Sequence, residues 1–518
     1  MKTKHLEKLI NKLKKDGFLA WMEELKSMDE TREIYLVGGA LRDALLGINF
    51  IKDYDFVVRM VELNRLGQEL TKLGKVSLVG KHFGVYKFTP KNKKLDTAYD
   101  IALPRTDTAK MTGGYRDFDV QYNEKLSIQE DLGRRDFTIN ALAYNIFNHK
   151  LIDEFGGIKD LADKRIKTVG NAYERFEEDY SRMLRAIRFA CQLNFEIEQN
   201  TWAAIKKLIN HINDETADGE RIVPYEVIAA EFLKTFTAQP VRAFDLYDKA
   251  GVFTVLAPEI LAMKNCPQPP NWHAEGDVFA HTRLCLKNLA SEAFKKRFNK
   301  QIIGRDNRKK RKADNPSYNL ISAELVIALL WHDVGKSYTI QTPENDGTDR
   351  LRFNNHDMIG AKIAQKNFEK MKLSAAPDFT FDVGHAIWLI ERHHLFDTKT
   401  IKEMKNSTIE KYFFGGRHAG EDLLKMGFID MFSSVRQDTG NGNVENFEMM
   451  LNRINELKKL GKDKKLPRPL LNGQEVMKIL KIKPGIRVGR ILGALREWQL
   501  SGKVTTRVWA IKKIKELK

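Results

Sequence analysis

A glycine turn with two alternating carboxylates shortly after it is the feature that most constrains this chain. Ile34 to Val37 is a short apolar run that predicts a strand, and Ala40 to Leu46 has the apolar spacing of a helix. Gly38 and Gly39 between them permit a tight turn with close backbone approach. A glycine turn at a helix N-terminus directs free N–H groups and the positive dipole end to one place, which favours a bound phosphate.

The carboxylates are Asp53 and Asp55, which flank Tyr54 at the start of the apolar run DYDFVV. A period of two places both on one face of a strand, where their oxygens can share Mg²⁺ ions. The two motifs together predict a strand, turn and helix that bind phosphate beside a metal site.

Length and charge limit the classes of partner. A chain of 518 residues has room for roughly three or four domains, and 87 Lys+Arg against 69 Asp+Glu give a formal charge of +18. Such a surplus indicates a polyanionic partner, with a uniformly basic surface as the alternative. No apolar run is long enough for a membrane span and the charged N-terminus lacks a signal-peptide core, so we expect a cytoplasmic protein without a membrane partner.

The N-terminal third has the pattern of a small α/β domain. Residues 5–27 predict one or two covering helices, residues 55–59, 83–89 and 98–103 predict strands, and residues 61–73 predict a helix. Asp100, in the last of these strands, is either a third carboxylate of the metal site or a solvated or capping residue. Residues 106–126 lack periodicity and predict a mobile loop. The three cysteines are widely spaced and are interpreted as packing residues, namely Cys191, Cys266 and Cys285.

Two arginine-rich stretches follow. Arg134 and Arg135 precede a helix-like run and can contact phosphate or ribose, while Asp136 can orient them or cap the next turn. Further on, RFEEDYSRMLRAIRFA predicts one helix carrying Asp179 beside Arg182, and the cationic line continues through Arg185 and Arg188.

The Asp179–Arg182 pair can choose a base. A carboxylate beside a guanidinium offers an acceptor next to a donor. Cytosine and adenine both present an amino donor beside a ring-nitrogen acceptor, whereas uracil and guanine present the reverse order. One such pair could therefore accept C and A, and the alternative is an ordinary ion pair on a helix surface.

These motifs, in the order GGALRD, DYD, DIALPRT, RRDFTINA and RFEEDYSRMLRAIRFA, resemble the class II tRNA nucleotidyltransferase and bacterial poly(A) polymerase family over residues 33–200. The resemblance implies a nucleotidyltransferase head that binds Mg²⁺ on Asp53 and Asp55. It further implies that the glycine turn, with Arg42 and Asp43, contacts the triphosphate. The same resemblance implies that the RRD motif at residues 134–136 contacts the ribose and that the EDxxR motif at residues 178–182 reads the base. Many relatives have Pro after the Asp of EDxxR, where this chain has Tyr180.

A second group of candidate ligands lies beyond NCPQPP, which breaks structure at residues 265–270. His and Asp residues at successive helix ends suit Mn²⁺, Fe²⁺ or Ni²⁺, although a lone His is more often a packed residue. They resemble the HD phosphohydrolase superfamily, which implies four ligands, His281, His332, Asp333 and Asp430. His356 and one of His393 or His394 could contact a second metal or a phosphate. Some relatives keep this domain only as a scaffold.

The C-terminal segment is basic. Residues 457–469 predict a linker, and the following stretch predicts two helices joined by KPGIRVGR. A helix N-terminus among cations suits an RNA phosphate, with a plain helical hairpin as the alternative. The residues concerned are Lys483, Gly485, Arg487, Gly489 and Arg490. The cationic stretch at residues 294–315 is either a solvated insertion or an RNA contact.

The predicted fold class is α+β and multidomain, with a small nucleotidyltransferase head followed by helical neck, body, HD and tail regions. The predicted domains are covering helices at 1–30, the head at 31–147, the neck and body at 148–268, the HD domain at 269–445 and an RNA-binding tail at 446–518. The predicted function is addition or repair of the 3′-terminal CCA of tRNA from CTP and ATP, with an HD phosphohydrolase activity as a second possibility.

Several alternatives stay open at the level of sequence. Within the class they are an A-adding or CC-adding enzyme and a poly(A) polymerase, which share the same motifs. In other classes they are an RNA-binding HD phosphohydrolase with an inactive head and a non-enzymatic tRNA chaperone. The sequence sets no oligomeric state.

Overall fold

The computed structural model describes residues 6, 10–11, 19–48, 53–79, 84–91, 98–109, 112–114, 117–299, 321–396, 398–415, 420–460 and 466–517. The chain divides into two compact units, Met1–Leu256 and Ala257–Lys518. The first is a mixed α/β head with helices after it, and the second is helical, which confirms the predicted α+β class. The finer domain boundaries given above stay predictions.

A seven-stranded sheet with the order β3-β4-β5-β2-β1-β8-β9 forms the head. In the described part of this sheet, β2 and β5 pair in parallel and the other neighbouring strands pair in antiparallel fashion. The strands are β1 (Glu33–Val37), β2 (Tyr54–Arg59), β3 (Gly74–Val79), β4 (Val85–Pro90), β5 (Tyr99–Ala102), β8 (Ala143–Asn145) and β9 (Leu151–Ile152).

Helices cover this sheet and link its strands. They are α1 (Ala20–Ser27), α2 (Gly38–Leu45), α3 (Leu63–Leu73) and α4 (Ile128–Gly133). Trp21 of α1 packs its ring against those of Phe56, Phe88 and Tyr99, which lie on three different strands. The covering role predicted for the N-terminal helices is therefore seen for α1, while most of residues 1–18 lie outside the described residues.

Two sequence predictions for the head are wrong. Much of the expected loop at 106–126 is an antiparallel hairpin of β6 (Arg105–Ala109) and β7 (Phe118–Tyr122). The first strand is polar, whereas the second, FDVQY, has the apolar alternation of a strand, which the prediction of a loop overlooked. The helix-like run after Asp136 is a short 3-10 turn, Thr138–Asn140, followed by strand β8. Its apolar residues are buried in the sheet, which overrides their helical spacing.

The rest of the first unit is helical apart from the two-residue strands β10 (Arg165–Ile166) and β11 (Glu196–Ile197). It contains α5 (Gly157–Asp163), α6 (Ala172–Glu178), α7 (Ser181–Leu193), α8 (Gln199–Leu208), the 3-10 turn Ile209–Asn213, α9 (Tyr225–Ala238), α10 (Pro240–Ala250) and α11 (Val252–Leu256). The expected single helix through Asp179 is wrong, because α6 ends before this residue and α7 begins after Tyr180.

The second unit begins with α12 (Pro258–Leu261), α13 (Val278–Asn288), α14 (Glu292–Phe298), α15 (Ala323–Trp331), α16 (Lys336–Thr339), α17 (Pro343–Asp346) and α18 (His356–Lys370). After the 3-10 turn Leu373–Ala375 come α19 (Val383–Ile390), the 3-10 turn His393–Phe396, α20 (Thr398–Glu403), α21 (Asn406–Phe413), α22 (Gly420–Ser433) and α23 (Glu445–Lys459). Every residue of α15 is buried, as its unbroken apolar sequence predicts. The cationic insertion beyond residue 299 lies outside the described residues.

The tail has three helices, α24 (Gly473–Leu480), α25 (Ile486–Leu500) and α26 (Arg507–Lys515). The first two match the predicted pair, and α26 was not predicted. Their apolar faces form one cluster that includes Val476, Val488 and Ile514. Among the described residues, no helix combines the length and the hydrophobicity that crossing a bilayer requires.

Candidate active sites

The glycine turn of the head lies against the first carboxylate. Val37 of β1 pairs with Asp55 of β2, so Gly38 starts α2 beside that side chain. Gly38 has φ +71°, and a Cβ placed on it would lie 3.0 Å from Asp55 Oδ2 and 3.3 Å from Arg135 Nη1. Glycine is required here both for the left-handed backbone and for the close approach.

The three predicted catalytic carboxylates lie together. Parallel pairing of β2 with β5 places Asp100 directly beside Asp55, and Asp53 immediately precedes β2. Burial, together with the neighbouring carboxylates, raises the pKa of Asp55, and burial and Asp53 raise the pKa of Asp100. Clustered carboxylates on adjacent strands fit a divalent cation, because such an ion offsets their mutual repulsion.

One cavity of about 890 Å³ extends from this edge of the sheet to α7, the helix that carries Arg182, Arg185 and Arg188. Every predicted nucleotide-binding residue lines it, as do Asp53 and Asp55; the set is Gly38, Gly39, Arg42, Asp43, Arg134, Arg135, Asp136, Asp179, Arg182, Arg185 and Arg188. Asp100 is not among the lining residues. The lining also includes residues that the sequence did not single out, namely Ala40, Arg105, Asp107, Phe118, Asn140, Ser181, Phe189, Val227 and Glu231.

Asp131, rather than Asp136, orients the arginine pair, so the first of the two roles predicted for Asp136 is wrong. Arg134 donates to Asp131 at 2.8 Å and Arg135 donates to it at 3.3 Å. Asp131 is completely buried, and although burial opposes ionisation the two guanidiniums lower its pKa. Arg134 also donates to Asp107 of β6 at 3.1 Å. Asp131 precedes the two arginines by three and four residues, and this spacing could have predicted both ion pairs from the sequence.

Asp136 instead fixes Arg185. Its Oδ2 accepts from Arg185 Nε at 2.9 Å and Nη2 at 2.5 Å, and its Oδ1 accepts from the backbone N–H of Phe137 at 2.8 Å and from Asn140 at 3.2 Å. Burial opposes the charge, but Arg185 and these hydrogen bonds lower the pKa of Asp136 to about 2. Asn140 also accepts from Arg42 at 2.8 Å, so Asp136 belongs to a network that reaches the glycine turn.

The predicted base-reading pair sits at a helix break. Asp179 Oδ1 accepts from the N–H of Ser181 at 2.9 Å and from its hydroxyl at 2.6 Å, which starts α7. Arg182 donates through Nη1 to Glu178 at 2.6 Å and to the Arg175 carbonyl at 3.0 Å. Asp179 Oδ2 lies 3.7 Å from Arg182 Nε. The carboxylate and the guanidinium are therefore held side by side through their separate hydrogen bonds and not by a hydrogen bond to each other.

The second candidate site lies in the second unit and collects residues from five places in the chain. His281 is on α13, His332 and Asp333 directly follow α15, His356 begins α18, and Asp430 is on α22. His393 begins the 3-10 turn after α19 and is buried. A Cβ on Gly335 would lie 2.0 Å from the His356 carbonyl, so glycine permits the close approach of α18 to the His332-Asp333 turn.

The backbone fixes the orientation of three of the histidines. The Nδ1 atoms of His332, His356 and His393 each donate to a carbonyl oxygen three residues earlier, at 2.8, 2.8 and 2.7 Å. A carbonyl only accepts, so each Nδ1 carries a proton, and Nε2 is the nitrogen left to bind a metal once it is unprotonated. The Nε2 atoms of His356 and His393 lie 3.1 Å apart. The Nδ1 of His281 lies 2.8 Å from Glu275 Oε1, within hydrogen-bond distance. This arrangement is typical of metal-binding histidines, whose outer nitrogen is held by a carbonyl or carboxylate.

Asp333 lies between two groups of Nε2 atoms. Its Oδ2 lies 3.3 Å from His332 and 3.9 Å from His281, while its Oδ1 lies 3.5 Å from both His356 and His393. His281 Nε2 is 3.1 Å from Asp430 Oδ1. The structure thus brings all four predicted HD ligands together and places His393, rather than the exposed His394, against Asp333.

Two carboxylates dominate the electrostatics of this site, the buried Asp333 and the partly exposed Asp430. Burial disfavours their charge, but the adjacent histidines, and for Asp333 also Lys336, hold the pKa of Asp333 and of Asp430 well below the usual range. Burial also opposes a charged His332, yet Asp333 and Asp430 raise its pKa to about 10. Two carboxylates among imidazoles, one of them fully buried, favour a bound cation.

The predicted RNA-binding residues of the tail lie at the N-terminus of α25. Gly485 precedes this helix, and Arg487, Gly489 and Arg490 are in its first turns. All four are exposed, as is Lys483. The expected juxtaposition of a helix N-terminus with several cations is therefore present.

Family models match three parts of the chain. Residues 34–167 match the poly A polymerase head domain, residues 194–264 match a probable RNA and SrmB-binding site of polymerase A, and residues 310–423 match the HD domain. The first match covers the predicted metal and triphosphate residues of the head. The third includes His332, Asp333, His356 and His393 but neither His281 nor Asp430.

Two curated relatives extend the comparison. A multifunctional CCA protein of Nitrosospira multiformis is 34% identical over 260 residues, which is 50% of this chain and 58% of that protein. One from Haemophilus influenzae is 31% identical over 350 residues, covering 66% of this chain and 71% of that protein. The chain thus spans little more than half the length of the first of these relatives.

A solved structure shares the fold. The crystal structure of a CCA-adding enzyme from Bacillus stearothermophilus in complex with CTP superposes with a TM-score of 0.59 at 22% identity, covering 96% of this chain and 97% of that one. The likeness at this identity concerns the fold.

Proposed function

Since the chain belongs to the multifunctional CCA protein family, we propose that it adds or repairs the 3′-terminal CCA of tRNA from CTP and ATP without a nucleic-acid template. One observation carries the proposal. A single cavity is lined by the metal-binding carboxylates, the glycine turn, the arginines and the Asp179–Arg182 pair, so phosphoryl transfer and base choice have one location.

The glycine turn and the arginines bind the nucleotide. Backbone N–H groups at the start of α2 suit the triphosphate, and Arg42 is held beside them by Asn140 and Asp43. Arg134 and Arg135, fixed by Asp131, are placed for further phosphate or ribose oxygens. These residues orient the α-phosphate towards the RNA 3′-hydroxyl, which is most of what phosphoryl transfer requires of a protein.

Asp53, Asp55 and Asp100 would hold Mg²⁺ ions at the edge of the sheet. Bound divalent ions supply activation of the attacking hydroxyl and charge stabilisation on the pyrophosphate leaving group. The carboxylates themselves fix the position of that chemistry relative to the glycine turn, because Asp55 contacts Gly38 on one side and pairs with Asp100 on the other.

Asp179 and Arg182 choose the base. The carboxylate accepts from the amino group of C or A, and the guanidinium donates to the adjacent ring nitrogen. Uracil and guanine present a carbonyl to the carboxylate and an N–H to the guanidinium, so both contacts are lost. The exposed cations around α25 bind the RNA backbone, which positions tRNA by shape without reading its sequence.

The second candidate site, with His281, His332, Asp333 and Asp430, is a metal-dependent phosphohydrolase site for RNA 3′ ends. Its candidate ions are Mn²⁺, Fe²⁺ and Ni²⁺. Its histidines present oriented Nε2 atoms beside the buried Asp333 and the partly exposed Asp430, so the residues fit a divalent cation. A bound ion would lower the pKa of a water and so supply the nucleophile. Lys336, whose Nζ lies 2.7 Å from Asp333 Oδ2, adds positive charge for a phosphate.

The experiment that tests the proposal offers full-length protein a tRNA without its CCA end, together with CTP, ATP or both. We expect extension by C with CTP alone and completion only with both nucleotides. Release of phosphate from RNA ends without any nucleotide incorporation would instead favour the phosphohydrolase with an inactive head. A cytoplasmic location, where tRNA is processed, stays part of the proposal.

A further inference from the structure

A cysteine lies inside the group of HD ligands. Cys285 is one helical turn after His281 on α13, so both side chains project from the same face. Its Sγ lies 3.4 Å from His281 Nε2. These two atoms, His332 Nε2 and Asp430 Oδ1 all lie within 4.8 Å of one another. The sequence pattern alone had suggested only a packing role for this thiol.

The separations match those of ligands around one ion. Nitrogen, oxygen and sulfur ligands of a tetrahedral Zn²⁺ lie ~2.0–2.3 Å from the metal, which puts them roughly 3.3–3.6 Å from one another. The structure gives 3.4 Å from Cys285 Sγ to His281 Nε2, 3.1 Å from His281 Nε2 to Asp430 Oδ1, and 3.8 Å from His332 Nε2 to Asp430 Oδ1. These three separations are compatible with ligands around one tetrahedral ion.

A second observation points to a ligand at the same place. His332 is fully buried and its Nδ1 is committed to the Leu329 carbonyl. Its Nε2 makes no hydrogen bond among the described residues, although Asp333 Oδ2 lies 3.3 Å from it. A buried imidazole nitrogen without a partner costs stability unless something binds it. Its Nε2 is one of the four atoms in the group, so this nitrogen is placed to bind a metal in exchange for a proton.

We propose that Cys285 is a metal ligand and that His281, Cys285, His332 and Asp430 bind a thiophilic divalent cation of the Zn²⁺ class. This inference rests on the proposed HD metal site and deepens it. It adds Cys285 as a ligand, and it selects Zn²⁺ in place of the Mn²⁺, Fe²⁺ or Ni²⁺ that histidine and carboxylate ligands alone suggest. Thiolate favours Zn²⁺ over Mg²⁺ and Mn²⁺. On binding, the S–H bond breaks, the proton passes to solvent and the sulfur lone pair forms the bond to the metal.

The two sides of Asp333 then differ in chemistry. The group that holds Cys285 contains sulfur, whereas the group on the other side consists of Asp333, His356 and His393, without sulfur. The sulfur-free group suits harder ions. The alternative for Cys285 is an S–H hydrogen bond to His281 with no role in metal binding, and spectroscopy separates the two.

The test uses full-length protein stripped of metal and titrated with Co²⁺, which reports a sulfur ligand by a thiolate-to-metal charge-transfer band in the near ultraviolet. Zn²⁺ affinity is measured in parallel by competition with a chromophoric chelator. The variants are Cys285→Ser and Cys285→Ala, with Cys266→Ser as a matched control, because Cys266 is also buried but lies outside the group. Circular dichroism checks that each variant is folded.

We expect the band in the wild type and in the Cys266 variant, its loss in both Cys285 variants, and a roughly 10–100-fold loss of Zn²⁺ affinity in them. Wild-type protein that binds Co²⁺ without the band overturns the assignment of Cys285 and leaves the HD metal site standing, and this result does not depend on any variant folding. Wild-type protein that binds no Co²⁺ overturns both the assignment of Cys285 and the proposed HD metal site. Nucleotide addition to tRNA by the same preparations reports separately on the function proposed for the head.

Discussion

Asp179 Oδ2 lies 3.7 Å from Arg182 Nε, close enough to share a ligand but too far for a hydrogen bond between them. Ser181 binds the other carboxylate oxygen, and Glu178 binds the far end of the guanidinium. Both residues are buried. An acceptor and a donor are thus presented side by side in the cavity, which is the order that cytosine and adenine require.

Replacing Asp179 with Asn should relax base choice without unfolding the protein. The amide oxygen can still accept from Ser181, so the start of α7 is kept, while the charged acceptor for the base amino group is lost. We expect the preference for CTP over UTP in kcat/KM to fall by roughly 5–150-fold, the value of one good bidentate contact. Glu174→Gln, on the exposed side of α6, is the matched control. Unchanged selectivity would refute the assignment of Asp179.

Base choice should also weaken as the pH falls. Burial raises the pKa of Asp179, so its ionised form, which accepts from the base, is lost at a higher pH than for an ordinary aspartate. The ratio of CTP to UTP incorporation, measured between about pH 8 and pH 5, should therefore fall towards the acid end. The Asp179→Asn variant should show a flat ratio. A wild-type ratio as flat as that of the variant would contradict the role of the carboxylate.

The buried Asp131 should be needed for both stability and nucleotide binding. Asp131→Asn removes the charge that holds Arg134 and Arg135, leaving two guanidiniums without their main partner. Breaking such a buried pair costs about 3–5 kcal/mol, so we expect a lower thermal midpoint and a higher KM for both nucleotides. Glu130→Gln, at the neighbouring exposed position, should change neither. A variant with wild-type KM would show that the arginines are held without Asp131.

The two candidate sites should fail independently. Asp53→Ala combined with Asp55→Ala removes the carboxylates of the head and should abolish nucleotide addition, while phosphate release from RNA ends continues. His332→Ala combined with Asp333→Ala should abolish phosphate release and leave nucleotide addition unchanged, since these residues belong to the other site. Both activities are measured on each folded variant. Loss of nucleotide addition in the folded HD variant would mean that two independent sites are the wrong model.

Local motifs predicted the centre of the head well. The apolar run, the glycines and the alternating carboxylates were sufficient to place β1, α2 and the start of β2, and strand pairing then brought Asp100 to Asp55. These features follow from short-range backbone preferences and a period of two, which a sequence displays directly.

Partners set by tertiary packing were not predictable in the same way. Asp136 pairs with Arg185, which is 49 residues away, and no local spacing identifies that contact. The break in the helix at Asp179 depends on a hydrogen bond to Ser181 that competes with helix continuation. Cys285 acquires its neighbours only when α13, α15 and α22 come together.

Sequencing of product 3′ ends tests the central claim most directly. Full-length protein is given tRNAs that end before, within and after CCA, together with CTP and ATP and Mg²⁺, and the ends are read after reaction. The proposed function predicts C, C and A added in that order to the shortest tRNA, completion of the partial ends, and no extension of finished CCA. Long A tails, or addition of A or C alone, would contradict it.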